Sequence, residues 1–366
     1  MRILMSADTV GGVWNYALEL ARGLCRAGDE VVIAALGGRM SAAQAAAAAA
    51  VPGLTVRDSD FPLEWMDSPW QGLAEAGAWL AELAAEARPD LVQLNHFAHA
   101  DVPWNAPVLR VVHSCVYSWH WAVRGHAPEP ERWDRYRQEV RRGLRTARMV
   151  LAPSAFMLRQ AERHYGPFRD GGVIHNGRRG EDFPPRRKRN EILSAGRLWD
   201  EAKNVAALAR IAPALPWPVR VAGASRHPDG GAAGMPGVEL LGLLSPAELA
   251  AAYGRAAIYA LPARYEPFGL SVLEAALAGC VLVLGDIPSL RELWEGAALF
   301  VPPQDEAALR DTLRWLIADP ELRCVYAQRA RDRAAVYGAE RMVSAYRDIY
   351  RQLTDESRAR PARQTG

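Results

Sequence analysis

Short apolar runs alternate with amphipathic stretches through both halves of this chain, and that alternation limits the fold more than any other feature. In the first half, residues 3–6, 30–36, 91–94, 108–113 and 149–152 read as strands, and residues 15–27 read as a helix stopped by Gly28. The second half repeats the scheme, with strands at 191–195, 219–222, 238–241, 258–261 and 281–284 and intervening helices such as 246–253. Strand–helix alternation of this kind requires a parallel sheet with helices on both faces. Two such α/β sheets in tandem are expected, each doubly wound, with a cleft between their strand ends where ligands bind.

A chain of 366 residues is too long for one ordinary core, which again points to two domains. The pattern breaks near 180–190, where Pro184, Pro185 and the run Arg186, Arg187, Lys188 and Arg189 read as a solvated linker. The expected division is residues 1–182 and residues 183–339. Helical spacing returns at Met342, Tyr346, Ile349, Tyr350 and Leu353, giving a helix over about 340–356, and the polar, basic residues 357–366 read as a flexible tail. The alanine-rich stretch at 42–50 is a strong helix former without specifying side chains, and is expected on the surface.

A net charge of +2 argues against a nucleic-acid partner held by bulk electrostatics. No signal-peptide pattern precedes the first strand and no apolar stretch is long enough to span a bilayer, so a cytoplasmic protein is expected. Cys25, Cys115, Cys280 and Cys324 are far apart and read as reduced side chains, neither a disulfide frame nor a zinc site.

The segment 263–275, Ala-Arg-Tyr-Glu-Pro-Phe-Gly-Leu-Ser-Val-Leu-Glu-Ala, follows an apolar strand and opens a helix. Glu266 and Glu274 stand at either end of that strand-to-helix turn. Gly269 lies where the helix begins, so backbone amides around Phe268, Gly269 and Leu270 are placed to meet an anion. A phosphate at the helix end, with carboxylates on either side for sugar hydroxyls, is what a nucleotide-sugar site needs. The segment resembles the glutamate–seven–glutamate motif of the retaining GT-B glycosyltransferases of family 4.

Further segments carry the same resemblance. Asp8-Thr9-Val10-Gly11-Gly12-Val13 resembles the glycine-pair loop beside the donor diphosphate and the acceptor. Ser194-Ala195-Gly196-Arg197-Leu198 with Lys203-Asn204 resembles the family's phosphate-binding segment, where Arg197 can grip oxygens bidentately and Lys203 adds a mobile charge. His113, at a strand end, matches a histidine close to the donor sugar. Weaker matches are 152–154, 173–177, 221–223 and 241–245, and the last of these places Leu243 near the base pocket. The likeness covers nearly the whole chain and is specific from about 191 to 295. Two features depart from it. Arg178 follows Asn176-Gly177 where the family has a small apolar residue, and the tryptophan-rich stretch 61–133 follows no recognisable pattern.

The resemblance implies a GT-B fold, two Rossmann-like domains facing a central cleft, with the last helix completing the first domain. It also implies a hexose transferred with retention from a UDP- or GDP-sugar to a glycan, glycolipid or small-molecule hydroxyl, without a metal or other cofactor. Glu274 would hold the ribose and Glu266 the donor sugar. Arg197, Lys203 and the helix amides would stabilise the leaving diphosphate. The acceptor would lie on the first domain, with Asp8 orienting a hydroxyl and Trp14, Tyr117, Trp119 and Trp121 available for stacking; core packing is the competing reading for each aromatic. His96, His99, His120 and His126 fit no standard metal spacing.

Another GT-B activity, such as a nucleotide-sugar epimerase or a phosphorylase, remains open, as does a catalytically silent sugar-nucleotide-binding protein. The joint presence of Glu266, Glu274, Arg197 and Lys203 speaks against the last. An oxidoreductase is disfavoured, because the first loop is not Gly-x-Gly-x-x-Gly and the second strand ends at Gly37-Gly38 without an acidic residue. Residues 131–148 form a basic stretch that could dock on an anionic membrane. A solvated helix with Asp134 and Glu139 as ion-pair partners is the favoured alternative, and it predicts no co-sedimentation with anionic liposomes. Salt-sensitive binding there would establish the membrane reading.

Overall fold

The structure, a computed structural model, describes residues 1–224 and 235–359. It comprises two compact units. The first contains Met1–Ser118, His126–Gly177 and the chain from Ala339 onward; the second contains Trp119–Gly125 and Arg178–Gly338.

The first unit runs β1 (Arg2–Asp8), α1 (Gly12–Arg26), β2 (Glu30–Leu36), α2 (Ala42–Ala49), β3 (Leu54–Arg57), α3 (Trp70–Ala87), β4 (Leu91–Leu94), β5 (Val108–Val111), α4 (Val116–Arg124, which passes into the second unit), α5 (Pro130–Thr146), β6 (Met149–Ala152), α6 (Ala155–Tyr165) and β7 (Gly171–Val173). Its strands pair in parallel in the order β3-β2-β1-β4-β5-β6-β7. The inner strands are almost wholly apolar because both faces are covered. α1 shows how one helix covers such a face. Trp14, Ala17, Leu18, Ala21 and Leu24 recur at helical spacing and all are buried.

The second unit runs β8 (Arg189–Ala195), α7 (Val205–Ile211), β9 (Val219–Ala222), β10 (Glu239–Gly242), α8 (Pro246–Arg255), β11 (Ala256–Leu261), α9 (Leu270–Leu277), β12 (Val281–Gly285), α10 (Pro288–Trp294), β13 (Leu299–Val301), α11 (Glu306–Ala318) and α12 (Pro320–Ala334). Its sheet is also parallel, in the order β10-β9-β8-β11-β12-β13. The final helix, α13 (Ala339–Ala359), belongs to the first unit. It buries Met342, Tyr346, Tyr350 and Leu353, pairs Arg347 with Asp29 at 3.0 Å, and donates from the Tyr350 hydroxyl to Gln93 Oε1.

Strand order reverses once in each sheet, between β1 and β4 and between β8 and β11. At such a reversal the two flanking connections leave in opposite directions, opening a crevice at the carboxyl ends of the strands. The Gly11-Gly12 loop leaves β1, and the Arg197 and Glu266 segments leave β8 and β11.

Several expectations change. β3, β7 and β13 were not anticipated; β3 (Leu-Thr-Val-Arg) and β7 (Gly-Gly-Val) lack the apolar run that marks the equally short inner strands, and β13 has only three residues. Residues 357–359 are helical rather than tail, and 360–366 lie outside the described residues. The units divide at Gly177/Arg178, ahead of the proline-containing linker. The alanine-rich helix α2 is closed by a Ser41–Gln44 capping box and buries only Ala48. No described helix is long and apolar enough to cross a membrane.

Gly223, after β9, has φ 142°, and a Cβ there would lie 1.7 Å from the Gly196 carbonyl oxygen. Backbone strain and a backbone clash act together, so Gly223→Ala should cost at least about 2 kcal/mol. The check is calorimetry, where melting should fall by several degrees. An unchanged melting temperature would contradict this packing.

Candidate active site

In the second unit, the loops after β8 and β11 are clipped together by backbone acceptors. Asn204 adopts a left-handed conformation at φ 54°, and its Nδ2 donates to the carbonyls of Pro262 (2.9 Å) and Pro303 (2.8 Å). The Arg264 amide donates to the Ala202 carbonyl at 2.8 Å. Lys203, beside the clip, thereby meets Glu266, with Nζ 2.5 Å from Oε2. Both side chains are largely buried, and Ser289 Oγ donates to the Glu266 carbonyl at 2.6 Å, fixing the turn.

Gly269 caps α9 at φ 85°, where a side chain would be strained and its Cβ would press on Val272. No side chain caps this helix, whereas serines cap α2, α6 and α8. The first amides of α9 are therefore available to an anion at the positive end of the helix dipole. Phe268 itself points into the core, with its ring edge-on to Tyr337, so any ligand contact at that position is through the backbone. Leu270 is half-buried, and Leu243, after Gly242, is 81% exposed.

Asp200 organises the cations. It accepts from Arg197 Nη2 at 2.8 Å, from Trp119 Nε1 at 3.1 Å and from the Ala202 amide at 3.0 Å. Burial pushes its pKa up, but the charges of Lys203 and Arg197 and the bonds from Trp119 and Ala202 outweigh burial and hold it below the ordinary aspartate value. Arg197 lies over Trp199 at 5.1 Å and remains 40% exposed at its side chain, open to a ligand. Glu274, buried in α9, has Oε1 3.0 Å from Arg178 Nε. The departure at Arg178 thus has a physical role, since a buried carboxylate requires a cationic or hydrogen-bonding partner.

In the first unit, Asp8 Oδ1 accepts from the Val10 amide at 2.9 Å and shapes the loop ahead of α1. Gly11 caps α1 and Gly12 opens it, again without a side-chain cap. His113 Nε2 is 2.9 Å from Asn95 Oδ1, and its ring meets Tyr16 edge-on at 4.5 Å. Burial drives its pKa down to about 3, so it is neutral near pH 7.

His96 and His99 pair with one another at 2.6 Å, and His126 is exposed. Among the described residues, no group of three or more His, Cys, Asp and Glu side chains is arranged to hold a metal ion.

The acceptor assignments need correction. Trp14 is 3% exposed and Tyr117 6% exposed, and Tyr117 packs on Tyr165 beneath Arg137, so neither offers a face to a sugar. Trp119 falls in the second unit, where its indole serves Asp200; Trp121 is 43% exposed. Sequence reasoning also missed Asn95, Asp200 and the clip made by Asn204. Asp200 was discoverable as an acid three residues after Arg197. Asn204 was not, because its partners are carbonyls 58 and 99 residues away.

Two family models match in tandem. Residues 10–179 match Glycosyltransferase Family 4, and residues 189–319 match Glycosyl transferases group 1. The chain is 27% identical to a glycogen synthase of Mycobacterium tuberculosis, covering 91% of this chain and 90% of that protein. It is 34% identical to a D-inositol 3-phosphate glycosyltransferase of Corynebacterium urealyticum, over 32% of this chain and only 28% of that protein. Among solved structures it resembles sucrose-phosphate synthase of Thermosynechococcus elongatus, with TM-score 0.80, 19% identity and coverage of 97% and 100%. It also resembles Anabaena HepE solved with UDP-glucose, with TM-score 0.77, 17% identity and coverage of 96% and 100%. The shared fold is GT-B.

Replacing Asp200 by alanine removes one anion that three donors share. At neutral pH the variant should lose roughly 2–3 kcal/mol of stability. Because the folded pKa is depressed, this contribution is full above the ordinary aspartate value of 3.8 and is lost as pH falls through the folded value. Denaturant titration of both proteins down the acid range should show the difference closing; a constant gap would refute the charged role.

Proposed function

The chain belongs to the group 1 glycosyltransferases of family 4, and from that premise we propose that it moves a hexose from a nucleoside-diphosphate sugar to a hydroxyl acceptor with retention at the anomeric carbon. The observation that carries this reading is the Lys203–Glu266 pair beside the glycine-capped start of α9, at the β8/β11 reversal. A diphosphate at the helix start competes for the Lys203 ammonium and leaves the Glu266 carboxylate to accept hydrogen bonds from sugar hydroxyls. Glu274 is the acceptor for the ribose hydroxyls, and Arg178 orients it.

In the proposed step, the bond between the anomeric carbon and the phosphate oxygen breaks, and its electron pair stays on the diphosphate. The acceptor oxygen bonds to the anomeric carbon on the same face, and its proton passes to a phosphate oxygen. Negative charge grows where Arg197, Lys203 and the α9 amides already stand, and fixed donors lower a barrier most at such a place. These groups supply the positive charge without a metal ion. A UDP-sugar is the favoured donor, supported by the UDP-glucose complex of the structural neighbour. The glycogen synthase relative supports glucose as the sugar and a saccharide hydroxyl as the acceptor.

The test is release of nucleoside diphosphate from UDP-, GDP- and ADP-glucose with EDTA present. UDP-glucose should be turned over, with EDTA leaving the rate unchanged. Glu266→Ala should abolish release with the fold intact by circular dichroism. Lys203→Ala should lower kcat by about 100-fold or more, the usual effect of removing one transition-state donor. Normal turnover by Glu266→Ala would sink the assignment.

A further inference from the structure

At the amino-terminal edge of the first unit's sheet, the residues that lead into three neighbouring strands lie side by side. β5, β6 and β7 pair in parallel, with Leu109 beside Met149 and Val150 beside Gly171. Pro107, Arg148 and the pair Arg169-Asp170 therefore share one edge, opposite the edge that carries the Gly11-Gly12 loop. Backbone bonds fix the alignment. The Arg148 amide donates to the Val108 carbonyl at 2.7 Å, and the Val150 amide to the Asp170 carbonyl at 2.9 Å. α5 ends just before this edge, and its last turn adds Arg145. These segments enclose a recess of about 360 Å³. Trp104 and Pro107 supply an apolar wall, and Arg110, Arg145, Arg148 and Arg169 line the rest.

Arg110, in β5, is 1% exposed. Its Nη1 donates to the carbonyls of His96 and Ala98 at 2.8 and 2.9 Å, but its Nε has no hydrogen-bond partner among the described residues. Gly143 lets α5 close over it: a Cβ there would lie 2.0 Å from the Phe97 carbonyl oxygen and 3.2 Å from Arg110 Cζ. Burial lowers the Arg110 pKa to about 10, against the opposing charge of Glu64, so the guanidinium is still charged at neutral pH. Arg148 pairs with Glu356 through Nη2, yet its Nη1 is also buried and without a partner among the described residues. Arg169 Nε is 3.7 Å from the exposed Asp170, and Arg145 is exposed and pairs with no described residue. A cation in the last turn of a helix complements the helix dipole, which accounts for Arg145 alone. It does not account for two buried guanidinium donors left without an acceptor, an arrangement that is costly unless something supplies one.

We propose that this recess is a second ligand site, which takes the phosphate group of a small phosphate monoester and lays its organic part against Trp104 and Pro107. Guanidiniums reach it from a strand interior, a helix end and the leads into two strands. Donors converging from several directions suit a tetrahedral group with three acceptor oxygens better than a planar carboxylate. The recess falls within the range of about 300–1,000 Å³ usual for small-molecule sites, whereas a bilayer or a nucleic acid would need an open surface. The carboxylates that meet these arginines are Glu64, Asp170 and Glu356, so Arg145 is the cation left over for a ligand. This site is separate from the phosphate-binding segment of the second unit and does not depend on the transferase reading.

The test is isothermal titration of the full chain with glycerol 3-phosphate, with glycerol as the uncharged control. The ester should bind with a dissociation constant below about 1 mM, and glycerol should give no heat. Arg145→Gln and Arg169→Gln change exposed positions and should keep the fold by circular dichroism. Each should weaken binding about tenfold, the usual loss with one charge-assisted hydrogen bond. Arg197→Ala, in the second unit, should leave it unchanged. Absence of binding would overturn the proposal, as would binding that survives both glutamine variants or disappears with Arg197→Ala. Sedimentation with phosphatidylglycerol vesicles, lost in the glutamine variants while the soluble ester does not bind, would overturn it in favour of a lipid headgroup.

Discussion

Asn204 is the constraint on which the second unit's site depends. Parallel pairing of β8 with β11 brings two loops side by side, but adjacency alone does not set their register. The left-handed turn at Asn204, with its amide shared between the Pro262 and Pro303 carbonyls, does so. Those carbonyls lie at strand ends where no ladder partner remains, so the side chain meets a need of the backbone as well. Lys203 is the neighbour of this clip, and its position against Glu266 follows from it.

Around that clip, three carboxylates are paired with cations: Glu266 with Lys203, Asp200 with Arg197, Glu274 with Arg178. Isolated charges of this kind would be costly to bury. Paired, they form a surface whose cations are held in fixed positions by the carboxylates beside them. The cationic members differ in openness. Arg197 is partly exposed, while Lys203 and Arg178 are largely enclosed.

The first unit is built on a different principle. Its strand ends present neutral, directional hydrogen bonding, because burial keeps His96, His99 and His113 uncharged. A neutral imidazole is both donor and acceptor, and which atom plays which part is set by its neighbours. Here a backbone carbonyl at each end, Leu73 and Ser6, sets the polarity of the whole chain of bonds. The first unit thus holds these groups by matched donors and acceptors, whereas the second unit pairs charges around its clip.

Much of this was legible in the sequence. The inner strands were, because a strand covered on both faces tends to be a near-continuous apolar run, as at β2, β6 and β12. The glycines at the starts of α1 and α9 were, because a helix that leaves its amides open needs no capping side chain. So was the placement of Arg197, Lys203 and Glu266 on loops after strand ends and of Glu274 in the helix that follows, since order along the chain is a local property. The edge strands β3, β7 and β13 were not, and for Trp14 and Tyr117 the core-packing reading held over stacking, a choice left to the fold because an aromatic side chain reads the same in a core as on a surface. Which groups pair was decided only by the tertiary structure. Arg178 meets Glu274 and Asn95 meets His113 across separations of 96 and 18 residues, and the direction of a hydrogen bond depends on the atoms that fold around it rather than on the residues beside it in the chain.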